Sequence, residues 1–343
     1  MTVIWSGEQL TTAGIAAGIS PIMDTERLEG TDRLHEARTF LEIANRHHEY
    51  RWPDKAKSFA RRALTIFERE LGPHDPIIAK VLVCLAGAQK DRGEYETAEA
   101  HHLRAAAILN RLPDGSGDPE IARLRVQAAR GLADVLCALG RYCEAEPMLK
   151  QALAMSERTF GRQSVDTAAV LNDLAVFYKY TGRFEKALHV LREALAIVEN
   201  VAGPNHPLIA TILNSLAVLH LVQGRFWQGE PSARRSVKVR EQTLGPDHPQ
   251  VAADIVTLAA ILDGQGEYAE AESHYRRALT MFERWFGPDH YEVAMTLTRL
   301  AALLRSQGRL AEAEPMYFRA LRIFERPQGP APSELAAREV RCA

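Results

Sequence analysis

Cysteine is scarce in this chain. Cys84, Cys137, Cys143 and Cys342 are the only four in 343 residues, and no two form a C-x-x-C pair. That excludes the common zinc and dithiol frameworks, and the residues read as free thiols of a reducing compartment. Long apolar runs are missing as well: none reaches the roughly 18 residues of a membrane span. The first twenty residues lack the basic n-region of a secretory signal. Neither sign of charge dominates, since 42 basic and 44 acidic residues leave a net charge of −2. The balance therefore points to neither nucleic acid nor an anionic membrane as partner. No G-x-x-x-x-G-K-[ST], G-x-S-x-G or H-E-x-x-H occurs, so the usual phosphate loop, nucleophile elbow and zinc-protease helix are absent. The expectation is a cytoplasmic protein with no catalytic residues, no metal and no cofactor.

What is present is repetition. The stretch Leu244 to Trp285 reads turn, helix, turn, helix over 42 residues, and the same text recurs along most of the chain. A glycine between the two helices marks each unit: Gly93, Gly140, Gly182, Gly224, Gly266 and Gly308, spaced 47 and then 42 four times. A second glycine follows the last five by 21 residues, at Gly161, Gly203, Gly245, Gly287 and Gly329. Stepping back 42 from Gly93 reaches Arg51, so the first unit keeps the spacing without the glycine. Small residues hold three columns in register. One is Ala44, Ala86, Ala133, Ala175, Ala217, Ala259 and Ala301; the second is Ala56, Ala98, Ala145, Ala187, Gly229, Ala271 and Ala313. The third is Ala63, Ala105, Ala152, Ala194, Ser236, Ala278 and Ala320. Helices pack closely where side chains are small, so the columns predict contacts within and between helix hairpins. Seven helix pairs fit between Thr31 and Arg326. A unit of this size cannot bury its apolar face alone, which predicts an all-α solenoid.

The turn text GPDHP predicts each new start: glycine ends one helix, Asp or Asn caps the next, and proline fits its first turn. Around Leu112 to Asp118 the third unit gains five residues, read as an extra helical turn or a longer loop. Pro147, Pro231 and Pro315 recur every 84 residues near the start of second helices, where proline should forfeit no hydrogen bond. Residues 1–30 read as an N-terminal arm, disordered or capping, and residues 327–343 as a C-terminal turn and capping helix.

The columns match the tetratricopeptide repeat pattern, with Tyr95, Tyr142, Phe184, Phe226 and Tyr268 as its aromatic two residues past the glycine. The 42-residue period and LGPDHP-x-VA make the chain resemble the kinesin light chain-like type of this family. Leu171 to Leu188 and Leu213 to Phe226 carry the likeness best. The resemblance implies a right-handed superhelical solenoid of antiparallel helix pairs whose first helices line a concave groove. It implies a scaffold or adaptor that binds a peptide segment of another protein, with self-association as a variant. The alternative is a ligand-gated sensor or an enzyme with a small-molecule pocket inside the superhelix.

Positions ten, six and three before each marker glycine share one stripe of the first helix and should face that groove. They are Asn172, Val176 and Lys179 in the fourth unit, and Asn214, Val218 and Leu221 in the fifth. Flanking units supply Val83 and Lys90, Arg130 and Asp134, Val256 and Asp263, and Thr298 and Arg305. Asn172 and Asn214 match the family asparagines that hold an extended peptide, because an amide both donates and accepts; otherwise they are solvated polar residues. Lys90, Arg130 and Lys179 either favour an acidic peptide or are solvated charges. His206, His248 and His290 recur every 42 residues in the turns, too far apart to share one ion. They read as turn-formers, and His47 and His220 as packed rings. The Arg pairs 61–62, 234–235 and 276–277 read as a solvated convex face, or less readily as a phosphate site.

Overall fold

The computed structural model describes residues 30–49, 52–112 and 118–325. The arm assigned to residues 1–30, apart from its last residue, and the cap assigned to 327–343 lie outside them. Every regular element among the described residues is a helix. First helices of the units are α1 (Gly30–Glu49), α3 (Pro76–Asp91), α5 (Pro119–Ala138), α7 (Val165–Tyr180), α9 (Pro207–Val222), α11 (Pro249–Gln265) and α13 (Tyr291–Ser306). Second helices are α2 (Pro53–Leu71), α4 (Tyr95–Leu109), α6 (Tyr142–Phe160), α8 (Phe184–Ala202), α10 (Phe226–Leu244), α12 (Tyr268–Phe286) and α14 (Leu310–Glu325). Each helix packs on its partner or on a neighbouring unit, and the backbones of distant helices stay apart; one side-chain bond, from Gln250 Nε2 to the Glu49 carbonyl at 3.5 Å, spans units six and one. The fold is an all-α solenoid.

Turn chemistry explains the period. In the fourth unit Gly182 and Gly203 hold φ of +70° and +83°, a region open to glycine and strained for other residues. The caps correct the sequence expectation. His206, His248 and His290 stand at the N-cap, and each Nδ1 accepts the backbone N–H two residues on at 3.2 Å. Asp247 and Asp289 sit one residue too early. Where the text reads GPHDP, at Gly72 to Pro76, Asp75 caps instead. The residue just before the helix-opening proline or its equivalent takes the role, and an imidazole nitrogen serves as well as a carboxylate oxygen. The recurrent histidines are thus helix caps.

The three small columns form the spine of the core, with Ala86, Ala133, Ala187, Ala217, Ala259 and Ala278 all at 0% exposure. Gly229 replaces alanine where an added Cβ would lie 3.1 Å from both His220 and Ile261. His47 is buried and stacks on Phe59 at 5.6 Å between ring centres; His220 is buried too. Four of the five extra residues of the third unit lengthen α5 to 20 residues against 16 in α3 and α7, about one added turn at its N-terminal end. Pro147, Pro231 and Pro315 each fall inside their helices, five residues past the start. Contrary to the sequence expectation, each therefore removes one i to i−4 hydrogen bond.

Two departures from regularity bear on packing. At the junction of α10 and α11, Ser236 stands in the alanine column, and Arg240 and Asp254 stand where every other unit has an uncharged residue. Asp254 is 2% exposed, accepts from Arg240 Nε at 2.8 Å and from Ser236 Oγ at 2.6 Å, and forms the most deeply buried ion pair described. The arginine pairs are also less free than expected. Arg235 and Arg277 join Glu199 and Glu241 of the preceding second helix at 2.5 and 2.7 Å, repeating Arg104–Glu68 and Arg319–Glu283. Such half-exposed rungs contribute about 0–1 kcal/mol each.

Candidate functional site

Curvature follows from which helices touch. Consecutive first helices come into contact with one another, while the backbones of consecutive second helices do not. The array is therefore shorter along its first helices, which line the concave side.

On that side a cavity of about 130 Å³ opens between α7 and α9. Val176, Lys179, Asn214 and Val218 line it, together with Ala175, Ser215 and Leu219, and Leu191 of α8 forms its floor. Four sequence-predicted groove residues thus meet in one depression. Asn172 does not line it: it is 7% exposed and packed at the level of the core. Leu221 is half-buried and packs against the apolar cluster of the next units, as do Val256 and Ala260. Ser215 was not anticipated, because its column elsewhere holds Asp173, Thr257 and Arg299, with no shared chemistry to single it out.

Polar groups here are incompletely matched. Asn172 and Asn214 each bury a side-chain oxygen that has no hydrogen-bond partner among the described residues. A lost partner for a buried amide costs about 1–3 kcal/mol, so such pairs are uncommon in a finished core. Lys179 lies over the Tyr180 ring at 4.5 Å and meets no carboxylate among the described residues. Burial lowers its pKa.

Other groove charges are already neutralised. Lys90 Nζ donates to Asp134 at 2.5 Å, and His48 lies 3.4 Å from Asp91. Arg130 is closed onto Asp173 by a short charged hydrogen bond, so it is not a free cation for a partner. Asp263, three residues before its marker glycine like Lys179, meets no cation among the described residues, and burial raises its pKa. The depression offers one asparagine amide, apolar walls and an ammonium without a carboxylate partner among the described residues, and no pair of titratable groups converges in it. Among the described residues no helix is long and apolar enough to cross a membrane.

The tetratricopeptide repeat model matches residues 124–200, 166–231, 208–284 and 255–326. No curated protein matches the chain. Among solved structures it is similar to BtubC (BKLC) from P. vanneervenii, with a TM-score of 0.58 and 23% identity over 69% of this chain and 94% of that one. The putative kinesin light chain TPR-like repeats of Podosopora anserina give 0.50 and 21%, over 58% and 94%. The Rap conjugation gene regulator of the plasmid pLS20, in complex with the Phr* peptide, gives 0.61 and 14%, over 90% and 79%. At these identities the structures share the fold. The four matches run without a gap from residue 124 to 326, more than half of the chain, and the protein belongs to the tetratricopeptide repeat family.

Proposed function

We propose that this protein is a non-catalytic scaffold that binds a peptide segment of a partner protein in its concave groove, centred on α7 and α9. The observation that carries the reading is the cavity lined by Lys179 and by Asn214, whose side-chain oxygen has no partner among the described residues, as has that of Asn172 in the same column of the preceding unit. An extended peptide brings free backbone N–H and carbonyl groups, which a folded helix does not. Val176 and Val218 supply apolar contact for its side chains, and Lys179 a charge. A protein of the same fold solved in complex with a peptide, the Rap regulator of pLS20, supports it.

The test uses Asn172→Ala combined with Asn214→Ala. Partners are captured from the protein's own organism with the immobilised full chain, and the bound segment is titrated into both forms by calorimetry. Loss of two amide contacts is expected to weaken binding about 30-fold, from roughly 1 kcal/mol each. Thermal stability is expected to hold or rise, because alanine favours a helix and removes a buried unpaired oxygen. Equal affinity in the two forms would place binding elsewhere.

A further inference from the structure

Lys179 and Asp263 hold the same register position, three residues before Gly182 and Gly266, in units four and six. Between them, in unit five, the position is Leu221, and Val218 lies one turn away. The other polar residues of this row differ. Lys90 is closed onto Asp134, His48 onto Asp91, and Arg305 covers the Tyr317 ring at 6.0 Å. Along the middle of the groove, an unneutralised cation, an apolar step and an unneutralised anion therefore follow in order.

The geometry points to a bipolar partner segment, one that lays a carboxylate against Lys179, apolar side chains over Val218 and Leu221, and a cation against Asp263. This rests on the reading that the concave groove holds a peptide. Half-buried charges without counter-ions have lost hydration and gained nothing in return, and a complementary segment relieves both ends at once. The same burial lowers the Lys179 pKa and raises that of Asp263.

Spacing sets the length. Contacting helices lie about 8–10 Å apart, so two units separate the charges by about 20 Å. An extended chain rises about 3.3 Å per residue, which places the acidic and basic residues of the segment about six positions apart. Asn214 in the cavity wall favours the extended form over a helix, because only an extended backbone has groups left to pair with an amide. Charge order also fixes direction: with the backbone held one way by the asparagines, only one order of acid and base pairs both ends.

The experiment measures fluorescence anisotropy of labelled nine-residue peptides with the full chain. Peptides carry Glu and Arg six positions apart in both orders, with mixed residues between, beside Glu/Glu, Arg/Arg and Gln/Gln sets. One bipolar order is expected to bind about tenfold more tightly than the like-charged sets, the effect of about one charge-assisted hydrogen bond. The double variant Lys179→Glu with Asp263→Lys is expected to invert the preferred order. Lys179→Gln with Asp263→Asn should erase the preference between the two orders. Equal binding of all sets by the wild-type chain overturns the bipolar partner and leaves the groove reading standing. Binding of no set overturns both. Circular dichroism checks that each variant folds; should one fail, the four-set comparison on the wild type still decides.

Discussion

Arg240→Met is expected to destabilise the protein by about 3–5 kcal/mol, the cost of leaving a buried carboxylate without its cation. Asp254 is 2% exposed, and Ser236 and Arg240 supply all of its side-chain hydrogen bonds. Burial raises the Asp254 pKa and outweighs the opposing pull of Arg240. The carboxylate's desolvation is thus not fully repaid, which decides the second half of the prediction. Neighbouring units place Ala194 and Ala278 at the Ser236 position, Val198 and Phe282 at that of Arg240, and Ile212 and Thr296 at that of Asp254. The triple variant Ser236→Ala, Arg240→Met, Asp254→Ile is therefore expected to match the wild type or exceed it by about 1–4 kcal/mol. Urea denaturation checks both, and a loss below about 1 kcal/mol for Arg240→Met would show that the pair is effectively solvated.

Acid is expected to unfold the array well before most carboxylates protonate. His102 is 3% exposed, and its ring fills the space beside Gly131, where an added Cβ would come within 2.2 Å of it. Burial pushes its pKa down to about 4 from 6.5, against the opposing charge of Asp134. The folded value lies below the unfolded one, so the contribution is complete above pH 6.5 and is lost as pH falls towards 4. A shift of this size corresponds to about 3 kcal/mol. His47, His101, His220, His248 and His274 shift the same way, chiefly through burial. His248 adds a structural reason, since protonation of Nδ1 removes the acceptor that caps α11. Denaturation midpoints measured from pH 8 to 4 should fall most steeply below 6.5, and His102→Gln should flatten that fall. An unchanged slope in His102→Gln would assign the acid sensitivity to other groups.

The scaffold was legible because it is written seven times. Alanine at a fixed interval has one explanation, close helix contact, and those alanines are the spine of the core. The capping role was misassigned because aspartate is the commoner cap, and only backbone position shows that the residue before proline does the work. The prolines were misplaced by a few residues, enough to change their cost. The Arg240–Asp254 pair escaped notice because its members lie on different helices, and each alone looks like an ordinary surface charge. Arg130 was read as available by the same logic. Whether a charge is free depends on a residue 43 positions away, Asp173, in the next unit. Lys179 and Val176 were placed by register alone, and they line the cavity together with Asn214 and Val218.

Helix–helix backbone proximity in this array is confined to neighbouring units among the described residues, which suggests building blocks that can be reordered at will. One joint forbids it. Excising residues 203–244 would rejoin the chain in perfect period, yet it would set Asp254 against Ala194 and Val198 in place of Ser236 and Arg240. The fifth and sixth units are keyed to each other, so the order of the array is inscribed at that seam as well as in the chain.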